Sequence, residues 1–225
     1  MHSIEEIKCL RSLWDSFSRE WQVVLKSNIF NWYNAENVKI INSDYVLTGD
    51  ENEEPWYNHE YKMTDEELQK VFRIKYLSTV IGDATPWGGS EYTPNIDLSI
   101  LRFFRNMEYL DISCYFEESE PWEDFIKKCP TIPTVNTFRC NFNKIKDLSF
   151  VSSTFPNLKL LDCSYNEISS LKPLDGLKLV ALVCSETNIT KAEINGFLES
   201  HPFCKIINHE YDPELILQNT FNYNK

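Results

Sequence analysis

A chain of 225 residues with 34 acidic and 22 basic side chains carries a net charge of −12, which disfavours a nucleic-acid surface because phosphate neutralisation needs clustered Lys and Arg. Seven cysteines, an odd number without a C-x-x-C pair, argue against a disulfide scaffold and place the chain in a reducing compartment. No stretch approaches the roughly 18 consecutive apolar residues of a membrane span, and Met1-His2-Ser3-Ile4-Glu5-Glu6 lacks the basic-then-apolar pattern of an export signal, so the expectation is a cytoplasmic protein with no membrane contact.

The first predicted element is one amphipathic helix over residues 3–27. Ile4, Ile7, Leu10, Trp14, Phe17, Trp21, Val24 and Leu25 follow at spacings of three and four, and Ser3 with Glu6 forms a capping box. The two tryptophans on this stripe are expected in the core. Residues 28–60 mix aromatics with a predicted strand at Val38–Ile41 and the acidic run 50–54, which lacks the residue order of a calcium-binding loop. A second helix starts after Thr64, capped with Glu67, and runs through Leu68, Val71 and Phe72.

From here the chain becomes periodic. Val135, Phe138, Cys140, Asn143, Ile145, Leu148 and Val151 align position for position with Leu158, Leu161, Cys163, Asn166, Ile168, Leu171 and Leu174. A third copy reads Leu179, Leu182, Cys184, Thr187, Ile189 and Ala192, and only Asn195 breaks its apolar template. The steps from Phe138 to Leu161 and on to Leu182 are 23 and 21 residues. This chain resembles the leucine-rich repeat family, whose pattern is L-x-x-L-x-L-x-x-N/C-x-L. Met107, Leu110 and Ile112 begin a weaker copy, with Tyr115 where asparagine belongs. The 28 residues from Leu110 to Phe138 accommodate an added helix near Trp122, Phe125 and Ile126. A degenerate copy is placed at Leu77-x-x-Val80 and a last strand at Cys204, Ile206 and Ile207.

The resemblance implies an α/β fold, a short right-handed β-α solenoid of about four or five repeats with helical caps, and the repeat lengths look like those of internalins and phosphatase-regulator solenoids. Three parts are expected: residues 1–76 as an N-terminal cap and divergent segment, 77–210 as repeats with a C-terminal cap, and 211–225 as a tail. The C-terminal cap is a helix from Thr190-x-x-Glu193 through Ile194, Phe197 and Leu198, ending before Pro202. Alternation in a strand points Phe138 and Cys140 inward and Thr137, Arg139 and Asn141 to the open face. Cys140, Cys163 and Cys184 then share one inward position as buried thiols, and Asn143 and Asn166 serve the turn.

The resemblance further implies a non-catalytic protein-binding module. No H-E-x-x-H, G-x-S-x-G, G-x-G-x-x-G or phosphate loop is present, and no catalytic residue, metal ligand or cofactor is assigned. The expected site is the concave strand face: Tyr109, Asp111, Arg139, Leu160, Asp162 and Val183, an apolar patch with an acidic border and with Arg139 held between two aspartates. The expected partner is a protein, of basic charge in the sharper reading of the chain as an acidic inhibitor or immunity protein. The reading set against it is an enzyme or small-molecule site built by segment 28–96, with His59 and the loop 86–90. A third is an oligomeric scaffold.

Overall fold

The structure, a computed structural model, describes residues 4–30, 38–41, 44–47, 61–79, 96–114 and 122–207. Helices α1 (Ile4–Ser16) and α2 (Arg19–Phe30) are followed by β1 (Val38–Ile41) and β2 (Asp44–Leu47), an antiparallel pair, and by α3 (Asp65–Phe72). The repeats then contribute β3 (Tyr76–Ser78), β4 (Tyr109–Asp111), β5 (Thr137–Arg139), β6 (Leu160–Asp162), β7 (Ala181–Val183) and β8 (Lys205–Ile207). Short helices return the chain between them: a 3-10 turn at Leu98–Phe103, α4 (Trp122–Ile126), α5 (Ser149–Thr154), a 3-10 turn at Lys172–Leu174, and α6 (Lys191–Ser200).

Strands β3 to β8 form one parallel sheet in chain order, so each repeat pairs only with its neighbours. The register sets Leu77, Leu110, Phe138, Leu161, Leu182 and Ile206 in one file across the sheet. All but Ile206 are fully buried, as are Cys140 and Cys163 in the next inward file, because a three-residue strand alternates only once and stacking covers its inner side.

Each repeat leaves its strand through the same corner. Asn166 donates to the carbonyls of Cys140, Cys163 and Ser164 at 2.9, 3.0 and 3.1 Å and accepts from the N–H of Asn143 and Ile145 at 3.0 and 2.9 Å. Asn143 donates to Ile112 and Cys140 at 2.7 and 3.0 Å. These amides satisfy backbone groups that the tight turn has removed from the sheet. Cys114, Phe142, Tyr165 and Glu186, four residues beyond successive members of the leucine file, all adopt left-handed backbone, with φ of 59°, 59°, 53° and 53°.

At the N-terminal end the predicted single helix is two. The break falls at Phe17 and Ser18, where the Ser18 hydroxyl accepts from the Trp21 N–H at 3.3 Å and restarts the helix. Trp14, Phe17, Trp21, Val24 and Leu25 remain buried across the break and join the same core as the repeats. Phe17 meets Phe72, Phe103 and Phe104 at ring separations of 5.9, 6.0 and 6.3 Å, and the Trp21 indole donates to the Asp97 carbonyl at 2.9 Å. The capping box at Thr64 and Glu67 forms as expected. Ser3, the acidic run 50–54 and the aromatics of residues 31–37 lie outside the described residues.

Two periodic expectations require correction. Leu77 pairs with Leu110, so the first copy reads Ile74-x-x-Leu77-x-Thr79, three residues earlier than the placement at Leu77-x-x-Val80. The polar Thr79, buried at an inward position normally apolar, masks this register in the sequence. The third copy ends at Ile189: Ala192 and Asn195 are exposed on α6, which departs from the repeat path after its Thr190 cap. The Glu193 carboxylate does not close a capping box but accepts from the Leu171 N–H and the Ser170 hydroxyl at 2.8 and 2.9 Å, tying the cap to the preceding repeat.

Candidate functional site

The sheet register defines two outward rows on the concave face. One runs Tyr76, Tyr109, Thr137, Leu160, Ala181 and Lys205, and the other Ser78, Asp111, Arg139, Asp162, Val183 and Ile207. All six predicted residues therefore lie on two adjacent rows, within four consecutive strands. At the first strand the corrected register puts Tyr76 and Ser78 on these rows.

The charged centre of this face is internal. Arg139 Nε lies 3.2 Å from one Asp162 oxygen and its Nη1 lies 3.5 Å from Asp111, with Tyr109 Oη also 3.5 Å from Nη1. Each aspartate is further held by the serine two residues on: Ser113 donates from N and Oγ to Asp111 at 2.9 and 2.5 Å, and Ser164 to Asp162 at 3.2 and 2.6 Å. Ser113 also donates to the Asn141 amide oxygen, linking the repeats one row further along. Burial opposes the Arg139 charge, but Asp111, Tyr109 and Asp162 outweigh it and hold its pKa well above the usual guanidinium range. Burial, aided by the Asp111 carboxylate, raises the Tyr109 phenol, which stays neutral at physiological pH.

This geometry corrects the expected acidic border. Asp111 and Asp162 are 6 % and 3 % exposed, and their oxygens are committed to Arg139 and the two serines. Val183, expected as an exposed apolar contact, is 8 % exposed. The accessible part of the face is Tyr76, at 40 % exposure, with half-buried Tyr109, Thr137, Leu160 and Ala181 and with exposed Lys205 at its end. Tyr76 and Tyr109 sit 6.1 Å apart with rings tilted by 48°. The face is thus aromatic and apolar, with two carboxylates paired to one guanidinium and hydrogen-bonded beneath it, an arrangement suited to a desolvated contact rather than to proton transfer.

The thiol file has the character expected of core residues. Cys140 and Cys163 are pushed well above the ordinary thiol range, mainly by burial, and Cys184 and Cys204 are raised to about 11 by the same cause. Such thiols remain protonated and unreactive at neutral pH. No group of His, Cys, Asp or Glu able to hold a metal occurs among the described residues. His201 is buried, stacked on Phe197 at 4.1 Å, with Nε2 3.2 Å from the Leu177 carbonyl, a packing role inside the cap. His59 and the loop 86–90, on which the enzyme reading rests, lie outside the described residues. Asn188, part of a glycosylation-like tripeptide, uses its amide to reach the Glu167 carbonyl at 3.2 Å.

Residues 133–176 match the family described as leucine-rich repeats, in two copies. This protein carries leucine-rich repeats. The matched span holds β5, β6 and the two asparagine corners, the part in which the spacing is most regular. Among solved structures, the Mex67:Mtr2 subunits of Chaetomium are similar over 43% of this chain and 76% of that chain, at 17% identity and a TM-score of 0.34, a likeness too weak to carry argument. No curated protein matches the chain. The repeats suggest a protein-binding module, and no helix among the described residues is long and apolar enough to cross a membrane.

Proposed function

We propose that this leucine-rich repeat protein is a non-catalytic binding module that receives a protein partner on its concave strand face. The observation that carries the reading is the outward row Tyr76, Tyr109, Thr137 and Leu160, set in register by four parallel strands and partly open to solvent. Aromatic and branched side chains in a shallow concave array supply contact area at low entropic cost, and the carboxylates beneath them are already held by Arg139, Ser113 and Ser164, so covering them removes no hydrogen-bond partner. Arg139, Asp111 and Asp162 act here as the rigid floor of the site, and Val183 closes its far side.

The finer form of the proposal is a basic partner, with the protein acting as an acidic inhibitor, of which an immunity protein for a basic toxin is one case. Its support is the net charge of −12, which accelerates encounter with a cation-rich protein. The test is affinity capture from the native lysate at low and moderate salt with the wild type and with Leu160→Glu. A stoichiometric partner retained by the wild type and lost with Leu160→Glu supports the concave site, and its loss with rising salt supports the basic partner. Equal capture of the same partner by both chains removes the concave face from the proposal.

A further inference from the structure

One hydrogen-bond donor at the centre of the concave face is left unused by the fold. Tyr109 Oη donates to Asp111 at 3.4 Å, and Thr137 Oγ1 donates to the Asn136 amide oxygen at 3.0 Å. Asp111 and Asp162 accept from the hydroxyls of Ser113 and Ser164 at 2.5 and 2.6 Å. Arg139 directs Nε at Asp162, 3.2 Å away, and turns Nη1 toward Asp111 and Tyr109, both at 3.5 Å. Its Nη2 has no hydrogen-bond partner among the described residues, and the Arg139 side chain keeps 20 % of its surface open. Half-buried Tyr109, Thr137 and Leu160 stand in the adjoining row.

A partner that covers this face takes water away from Nη2, and a guanidinium donor stripped of water without an acceptor opposes binding. The partner must therefore bring an acceptor to this point. What lies beneath sets its charge. Two carboxylates already face one guanidinium, so a third, from Asp or Glu, would enter a site of negative balance away from bulk water and be repelled. A lysine or arginine fares no better, because the open group it meets is Arg139 while Asp111 and Asp162 are buried. A neutral carbonyl oxygen meets neither penalty.

We propose, resting on the concave reading above, that the partner lays an uncharged apolar segment across Tyr76, Tyr109 and Leu160 and points one backbone carbonyl at Arg139 Nη2. The tyrosine pair, with rings 6.1 Å apart, and Leu160 receive the apolar side chains on either side of that carbonyl. The net charge of −12 then acts at a distance, on the rate of encounter, while the contact itself is neutral. Arg139 is the specificity-determining residue of the face: it anchors a backbone acceptor and disfavours a charge of either sign.

The experiment selects binders to the full chain from a displayed library of random peptides and measures them by fluorescence anisotropy, with circular dichroism as the folding check on each variant. The selected peptides are expected to be apolar and to need no charged or amide side chain in an alanine scan. Arg139→Lys, which keeps the charge and loses the planar fork, is expected to weaken them about tenfold. A single added Glu is expected to weaken them on the wild type and to be better tolerated by Asp111→Asn, where one of the two carboxylates is gone. Peptides that are lost with Leu160→Glu yet require an Asp, Glu, Lys, Arg, Asn or Gln, that tighten on the wild type with an added Glu, or that are indifferent to Arg139→Lys in a folded chain overturn the role of Arg139 and leave the concave site standing. Peptides indifferent to Leu160→Glu, or a library that yields no binder, overturn the concave reading and the role of Arg139 with it.

Discussion

The middle repeats and the N-terminal cap share one continuous core, yet they hold it together by different rules. In residues 135–189 each inward position has a fixed duty that recurs one repeat later: leucine or phenylalanine under the strand, cysteine beside it, and at the corner asparagine or, in the last copy, Thr187. In α1, α2, α3 and the Leu98–Phe103 turn no position repeats, and order comes from shape: Phe17 among Phe72, Phe103 and Phe104, with one indole hydrogen bond fixing Trp21. A repeat is therefore specified by backbone hydrogen bonds at regular intervals, and the cap by a particular fit of large rings.

The sharpest way to break this contrast is at Asn166. Its replacement by alanine takes the side-chain partner from the Cys163 carbonyl and from the Asn143 and Ile145 N–H groups, while the Cys140 and Ser164 carbonyls keep Asn143 and the Phe142 N–H, and a loss of about 5 kcal/mol is expected from buried groups left unpaired. Asn166→Leu is expected to do no better in urea unfolding, since shape is not what the corner lacks. In the cap the opposite holds: Trp21→Ala opens a cavity worth about 4 kcal/mol, and Trp21→Phe recovers most of it. Full rescue of the corner by leucine would end the distinction.

A smaller effect is expected at the ion triad. Arg139→Met leaves the buried Asp111 and Asp162 without their counter-charge and costs about 3 kcal/mol. Adding Asp111→Asn and Asp162→Asn restores most of the stability, because two neutral amides tolerate the same burial. A triple variant no more stable than the single one would mean that Arg139 acts through packing.

The smallest effect belongs to Glu193, which joins the C-terminal cap to its neighbour repeat. The N–H of Leu171 and the hydroxyl of Ser170 stabilise its charged form and hold its pKa below the ordinary glutamate value of 4.5. A carboxyl lowered on folding contributes stability that is present above the unfolded value and is lost as pH falls through the folded one. Glu193→Gln should thus be slightly less stable than wild type at neutral pH, and the gap should close on acidification below about 4.5. A gap that persists at acid pH assigns Glu193 a packing role only.

The inward files are legible in the sequence because every member meets the same surroundings, which imposes the same residue type. Phe138, Leu161 and Leu182, and Cys140, Cys163 and Cys184, stand as their spacing requires. The order Asp111, Arg139, Asp162 is legible too, and so is the ladder it forms. The register of β3 is obscured by one residue, Thr79, whose hydroxyl is accommodated by the Asp111 carbonyl at 3.3 Å. The split between α1 and α2 is hidden because Phe17 continues the apolar spacing through the break. The aromatic corners at Phe142 and Tyr165 carry no sequence signal of their own, since a positive φ is set by the path of the chain and not by the residue placed there.

The sequence by itself determined the repeat unit, the identity of the buried files and the helical spacing that sets the cap apart from the repeats, because periodic burial imposes periodic composition. Only the tertiary structure decided which outward residues face solvent. Asp111, Asp162 and Val183 sit on outward positions and are buried all the same, while Tyr76 at the edge strand is open. Alternation along a strand fixes the direction of a side chain, but its exposure depends on the neighbours in the adjoining strands, and those are brought together by the stacking of the whole solenoid.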